Sequence, residues 1–248
     1  MDARSFDVPR YLAVLPLFQE MTAAELERLS LGCRLRRFAR GEPVFRLGEP
    51  CEEFHVTVTG QVRLYAISAA GQEKVIELAG PGSSFAEALM FTDKPYIVHA
   101  QALTDTLLLS VAKATVVDEI SRDPRFAMRM LAGISRRLHG LVHDVQAYAL
   151  HSGMQRVIGY LLHDLPEAAE DATAVTLAQA RGLPPAASAG EWRVSLPASK
   201  ATIASRLSLT PEYFSRVLHE LEGAGLIEID RREIRIPDTR RLARHGAA

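Results

Sequence analysis

The 248-residue chain is 48% hydrophobic and 24% charged with a net charge of −1, an ordinary composition for a soluble globular protein with one large or two modest cores. It has no run of about 18 apolar residues, and Met1 to Asp7 lacks a signal peptide's apolar core, so neither a membrane span nor secretion is expected and the cytosol is the predicted compartment. Only Cys33 and Cys51 are present, too few and too separated for a structural zinc or a four-thiolate iron–sulfur cluster; free thiols are expected in a reducing compartment, with a regulatory disulfide left open.

Residues 9–31 read as helical and amphipathic. Thr22-Ala-Ala-Glu25 is a capping box that opens a helix with Leu26 and Leu29 inward. From Cys33 to Val111 the texture changes to short alternating runs, such as Phe54 to Val58, Val62 to Ile67 and Lys74 to Leu78. Glycines separate them at roughly ten-residue intervals, the pattern of an antiparallel sandwich or roll. Ala69-Ala-Gly-Gln72 is the predicted tip of one hairpin.

Asp123-Pro124 starts a long helix, with Asp as N-cap and Pro at the first position. Leu131, Ile134, Leu138, Leu141, Val145 and Tyr148 follow at steps of 3, 4, 3, 4 and 3. A helix packed on its own domain more often shows a wider stripe drifting at 3.6, so this heptad predicts a parallel two-stranded coiled coil and hence a homodimer. Packing within the chain is the alternative. His151 to Gly153 breaks the pattern as a hinge, and residues 154–165 form another helix through Val157, Ile158, Leu161 and Leu162. Residues 166–190 read as a surface insertion in which 174–180 are helical.

The stretch Ser195 to Ile236 is the most informative. Pro197 to Leu207 reads as a short helix with Ile203 and Leu207 inward, and Ser208-Leu209 as a tight link. Thr210 is a good N-cap, Pro211 suits the first helical position, and Gly223 and Gly225 offer an ending. Phe214, Val217, Leu218 and Leu221 form one apolar stripe, while Glu212, Ser215, Arg216 and His219 repeat that spacing on another face. Leu226 to Asp230 and Glu233 to Ile236 alternate about Arg231-Arg232 as a hairpin. Helix, turn, helix and hairpin make a winged helix-turn-helix, whose second helix enters the major groove. Arg bonds guanine O6 and N7, Glu accepts from cytosine N4, and a Ser hydroxyl serves either base, which is the chemistry of a base reader. Charge adds little: from residue 151 onward there are 12 Lys and Arg against 12 Asp and Glu, the basic ones gathered at Arg231, Arg232, Arg235, Arg240, Arg241 and Arg244. No nucleophile elbow, P-loop, dinucleotide fingerprint or metal-ligand spacing occurs, so no enzyme is expected.

Phe85 to Asp93, Arg156 to Leu162 and Leu209 to Leu218, set in this order of elements, resemble the Crp/Fnr family of bacterial transcription regulators over nearly the whole chain, and look closest to its Dnr-type branch. The resemblance implies an α+β chain. Residues 1–120 are then a cyclic-nucleotide-binding-like jelly-roll, or β-roll, that takes an effector; 121–152 are a dimerisation helix; and 153–248 are the winged helix-turn-helix. It implies that Glu212, Ser215 and Arg216 read TTGAT half-sites arranged as TTGAT-N4-ATCAA, with Pro211 standing where some relatives make an extra base contact. Lys200, Thr202, Thr210, Tyr213, Arg231 and Arg232 are candidate phosphate contacts. RNA polymerase as a partner and activation of transcription follow from family habit alone.

The resemblance also bears on the effector. Cyclic-nucleotide-binding relatives begin a short helix with Gly-Glu and place Arg-Ser some ten residues on. Here Ala86 precedes Glu87, and Lys94-Pro95 replaces Arg-Ser, losing the guanidinium fork and the hydroxyl, so no cyclic nucleotide is expected. The Fnr-type cysteine cluster is missing, so no iron–sulfur sensor is expected either. The Dnr-type branch responds to nitric oxide through haem, which needs an apolar crevice and axial ligands. The candidate effector pocket between roll and long helix comprises Phe85, Glu87, Phe91, Lys94, Tyr96, Val98, His99, Met130 and Leu138, with His99, His139 and His143 as candidate axial ligands. Two ligand positions proposed for Dnr-type proteins fall on Arg206 and on Leu15-Pro16, neither a histidine. Two rival readings stay open. One is a dimeric interaction protein that does not bind DNA. The other is a regulator of the same fold without a small effector, controlled by its amount or by Cys51 oxidation.

Overall fold

The structure is a computed structural model that describes residues 6–18, 20–163 and 191–247; the expected insertion at 166–190, with its helix at 174–180, lies outside them. The chain divides into two compact units, Met1–Gly140 and Leu141–Ala248, with the division inside the long helix rather than at its ends.

The first unit opens with two helices rather than one helical stretch. α1 (Val8–Ala13) is capped by Asp7, whose carboxylate accepts the Arg10 N–H. Pro16 offers no N–H, and a single 3-10 turn (Pro16–Phe18) follows. The Thr22–Glu25 capping box then starts α2 (Ala23–Ser30), as the sequence predicts.

Among the described residues of this unit, eight strands form two four-stranded antiparallel sheets. They are β1 (Cys33–Phe38), β2 (Pro43–Phe45), β3 (Glu53–Thr59), β4 (Val62–Ile67), β5 (Glu73–Ala79), β6 (Ser84–Phe85), β7 (His99–Ala102) and β8 (Thr106–Ala112). One sheet has the order β1-β8-β3-β6 and the other β2-β7-β4-β5, the arrangement of a roll. The β4–β5 hairpin closes where expected, with Gly71 N–H donating to Ser68 O and Ser68 N–H to Gln72 O.

Strand β3 departs from the alternation expected of it, because Phe54 to Val58 are all buried. Side chains two apart share a face. Phe54, Val56 and Val58, with Leu109 and Val111 of β8, form one face and pack with Leu12, Phe18, Leu29, Phe126 and Met130 from the helices. His55 and Thr57 occupy the other face, where His55 Nδ1 lies 2.9 Å from Ser110 Oγ and its ring tilts against Phe85 with centroids 5.2 Å apart.

After α3 (Lys113–Arg122), α4 (Pro124–Leu150) begins where Asp123 accepts the Arg125 N–H at 3.0 Å. Phe126 and Met130 are fully buried and Ile134 packs partly against the same cluster. Gly133 admits Leu17, whose Cδ1 would stand 2.6 Å from any Cβ there. Ile134, expected at a dimer seam, thus turns in part toward its own core. Of the remaining seam residues, Leu131 is 52% exposed, Leu138 58%, Leu141 38% and Val145 64%. The side chain of Tyr148 lies outside the described ones. Among the described residues no helix is long and apolar enough to cross a membrane.

The second unit contains α5 (Gly153–Leu162), β9 (Trp192–Ser195), α6 (Lys200–Arg206), α7 (Pro211–Gly223), β10 (Glu228–Asp230), β11 (Glu233–Ile236) and α8 (Thr239–Ala247). The expected hairpin gains a third strand, in the order β10-β11-β9. α8, unanticipated behind a run of arginines, is tied in by fully buried Leu242 and by Gly246 against Ile158.

Burial holds the His55 imidazole down at about 3, so it stays neutral in the folded chain, whereas an unfolded histidine titrates near 6.5. The unfolded state therefore binds the extra proton, and the contribution is complete above about pH 6.5 and is lost as pH falls. Urea unfolding is expected to lose about 2 kcal/mol from this group between pH 7 and pH 5. His55→Gln is expected to flatten that slope; an unchanged slope would exclude His55 as its source.

Candidate nucleic-acid interface

The recognition helix of this unit is α7. Thr210 Oγ1 accepts the Tyr213 N–H at 3.2 Å, Pro211 fills the first position, and the helix ends at Gly223. Phe214, Val217, Leu218 and Leu221 are all buried. Burying four such side chains on one stripe contributes on the order of 6–10 kcal/mol, far more than the polar face can, so it sets the helix's rotation. That rotation leaves Glu212 and Arg216 exposed and Ser215 half-buried beside them. His219 shares the face, but its Nδ1 lies 2.8 Å from Ser215 O and is engaged with its own helix. The Arg216 guanidinium sits 4.7 Å from the centroid of the Tyr213 ring.

The helix and turn before α7 are held by short-range caps and by a clamp from α5. Ser199 caps α6 by accepting the Thr202 N–H at 3.1 Å, and its hydroxyl lies 2.8 Å from Thr202 Oγ1. Ser208 takes a positive φ of 57°, and Leu209 N–H donates to Ala204 O at 2.8 Å. Arg156 of α5 donates from Nη1 to Leu207 O at 2.7 Å and to Ser208 O at 3.3 Å, clamping the carbonyls that end α6. This clamp is a role the sequence does not disclose.

Among the expected phosphate contacts, Thr210 is exposed at the cap, Lys200 and Thr202 are half-buried, and Arg231 and Arg232 stand exposed at the wing turn, Arg231 with a φ of 55°. Tyr213 is half-buried, and a methyl group on Gly153 would lie 2.9 Å from its hydroxyl oxygen. The basic cluster is smaller than its sequence suggests. Arg235 is held by Glu191 at 2.8 Å and by Glu228 at 2.8 Å, and Arg241 donates to Ala224 O at 3.3 Å beyond the end of α7. The guanidinium of Arg235, then that of Arg193, holds the Glu191 carboxyl down at about 2, so the wing's ion pairs persist at neutral pH.

The residues expected around the effector are divided between two core clusters and the surface: Phe85 and Tyr96 pack in one cluster and Met130 in the other, with Ala86 against both. The Tyr96 ring stacks on Phe45 at 3.7 Å and its hydroxyl donates to Glu53 O at 2.8 Å. Glu87 is 2% exposed and accepts from Ser84 Oγ at 3.3 Å, while Phe91 is 45% exposed, Val98 half-buried, Lys94 exposed and Leu138 outward. Ala86 takes a φ of 69°, where an alanine carries about 1–2 kcal/mol of strain. His99 alternates with the inward Ala100 and Ala102, so it stands on the outer face of its sheet, stacked on Tyr65 at 5.1 Å. His139 is exposed, and the side chain of His143 lies outside the described ones. Both cysteines are free; burial pushes the Cys33 thiol up to about 12 and raises that of Cys51 as well.

A roll followed by a long helix and a capped, exposed reading helix beside a wing defines a DNA-binding regulator. Residues 35–123 match the cyclic nucleotide-binding domain family, and residues 155–245 match the Crp-like helix-turn-helix domain. The chain is 24% identical over 235 residues to a "CRP-like cAMP-activated global transcriptional regulator" of Mycobacterium tuberculosis, covering 95% of this chain and 98% of that one. It is 32% identical to DNR from Pseudomonas aeruginosa, covering 94% and 95% of the two chains with a TM-score of 0.50. FixK2 from Bradyrhizobium japonicum shares the fold at 21% identity, with a TM-score of 0.70 over 87% of this chain and 98% of that one. The chain belongs to the Crp/Fnr family of DNA-binding transcription regulators.

Arg156→Met, which keeps the apolar stem but not the donors, is expected to cost about 1.5–3 kcal/mol of stability by leaving the Leu207 carbonyl unpaired. Denaturant unfolding of the full chain measures it, and a cost below about 0.5 kcal/mol would show the clamp to be idle.

Proposed function

We propose that this chain is a homodimeric regulator whose two recognition helices read a TTGAT-N4-ATCAA-like palindrome. The observation that carries this reading is the exposure of Glu212 and Arg216, with half-buried Ser215 beside them, on a helix whose apolar stripe is fully buried. Arg216 donates to guanine, Glu212 accepts from cytosine and Ser215 serves an adjacent base. Thr210, Lys200, Thr202, Arg231 and Arg232 supply phosphate contacts around that face. Leu131, Leu138, Leu141 and Val145 pair with their copies in a second chain, which accounts for large apolar side chains left exposed in a row. Two-fold pairing of the helices matches a two-fold operator.

The roll takes the effector, whose binding shifts the population of dimers competent for DNA, with His151 to Gly153 as the hinge. The 32% identity to DNR over 94% of this chain supports a place near the Dnr-type branch and, by that resemblance, a nitric-oxide signal. Against haem weighs the chemistry of its candidate ligands: His99 stands on the outer face of its sheet and His139 is exposed, so the two do not line one apolar crevice. A cyclic nucleotide fits poorly as well, because Lys94 is exposed where a phosphate needs a cation and Ala86 stands in place of glycine. The raised thiols of Cys33 and Cys51 tell against control by thiolate oxidation. Work on DNA places the protein in the cytoplasm, and recruitment of RNA polymerase, with activation, is the family's usual output. Absorbance spectra with haem available, with and without nitric oxide, separate a haem-borne signal from a constitutive regulator: a Soret band with nitric-oxide-dependent DNA affinity supports the first.

In gel-shift titrations Arg216→Ala is expected to cost about 1–3 kcal/mol of specific binding and to relax reading at the guanine; unchanged affinity would remove Arg216 from base reading. Leu138→Glu is expected to convert a dimer to a monomer in sedimentation without loss of fold. A wild-type chain that sediments as a monomer would end the dimer reading.

A further inference from the structure

We propose that Tyr213 is a positioning residue for DNA reading: seated on Gly153, its ring holds the Arg216 guanidinium in place, so the glycine that opens α5 helps set specificity. This rests on the reading of Arg216 as a base contact.

Tyr213 and Arg216 are three residues apart on α7 and are therefore neighbours on its surface. The guanidinium lies over the ring at 4.7 Å. A guanidinium drawn to a ring face keeps N–H groups away from the ring free to donate in pairs, as bidentate contact with guanine requires. A free arginine side chain would have to give up its rotamer freedom on meeting DNA, and the ring removes part of that cost beforehand.

The ring is itself held. A Cβ on Gly153 would stand 2.4 Å from Tyr213 Cε1, 2.8 Å from Cζ and 2.9 Å from Oη, so Tyr213 rests on bare backbone that only glycine leaves open. The hydroxyl end turns toward α5. The seat is rigid. Ser152 Oγ accepts the Gln155 N–H at 3.2 Å and Gln155 Oε1 accepts the Ser152 N–H at 2.7 Å, locking the first turn of α5. One residue on, Arg156 clamps the turn between α6 and α7. A single turn of α5 therefore supports both the helix-turn-helix bend and the side chain beneath Arg216. Gly153 opens a helix and is not among the glycines with positive φ, so its backbone accepts alanine and only the ring is displaced.

The test uses the full chain and its Tyr213→Phe, Tyr213→Leu, Gly153→Ala and Arg216→Ala variants. The first readout, in the absence of DNA, is the NMR shift of the Arg216 side-chain protons, which ring current moves upfield. The second is the affinity ratio between the TTGAT-N4-ATCAA duplex and one with its guanines replaced by adenine, with thermal midpoints recorded throughout. The upfield shift is expected in the wild type and in Tyr213→Phe, and its loss in Tyr213→Leu and Gly153→Ala. In those two variants discrimination is expected to fall about two- to fivefold at an unchanged midpoint. An unshifted Arg216 in the wild type overturns the proposal, as does a Gly153→Ala chain with the shift intact. So does a Tyr213→Phe chain that loses as much discrimination as Tyr213→Leu, since that assigns the effect to the hydroxyl. If wild type and Arg216→Ala alike fail to distinguish the duplexes, the operator reading fails, and the shift in Gly153→Ala alone decides whether Tyr213 positions Arg216.

Discussion

Strands β3 and β8 are covered on both faces, and most of the first unit follows from that constraint. A two-sided burial needs two partners. The second sheet closes over His55, Thr57, Leu108 and Ser110 on one side, and the N-terminal helices with the base of α4 close over Phe54, Val56, Val58, Leu109 and Val111 on the other. The helices are in turn held by charge. Arg28 forks onto the buried Glu119 at 2.8 Å, and Arg129 of α4 reaches the Glu25 carboxylate that also serves the capping box. Burial raises the Glu25 carboxyl, but hydrogen bonds from Thr22 and the Arg129 charge outweigh it, so the group stays ionised where the latch matters. Breaking either buried pair would strand a charge in an apolar layer, which makes the start of α4 an anchored element rather than a loose tether.

In the second unit the corresponding anchor is the stripe Phe214, Val217, Leu218 and Leu221. It rotates α7 so that its polar side chains face out, and α5 supports the result from beneath through Gly153 and Arg156. The wing is fastened by Arg235 between Glu191 and Glu228, which explains how a region with no net excess of basic residues still presents Arg231 and Arg232 at its tip. Ion pairing within the unit uses up charge that a residue count assigns to DNA.

The effector side reads differently. Its expected residues are split between two packed clusters and the surface, and His99 falls on the outer face of its sheet because strand geometry alternates side chains. What the roll interior does hold is a buried, neutral His55 paired with Ser110 among Phe45 and Phe85, a group no local pattern marks as special.

Local chemistry made much of this legible in the sequence: the Thr22 capping box, the Ser68 to Gln72 turn, the start at Asp123-Pro124, the Thr210-Pro211 opening and the apolar stripe of α7 all depend on residues no more than two helical turns apart. So does the separation of the polar face of α7 from its buried one, since helical period alone decides it. Contacts between distant segments were a different matter. Which face of β3 meets helices, where His99 points, that Arg235 is spent on Glu191, and that Gly153 lies beneath Tyr213 each depend on chain separations of tens of residues. Side-chain spacing along one segment carries the period of that segment and nothing of what will pack against it, so only the tertiary structure decided them.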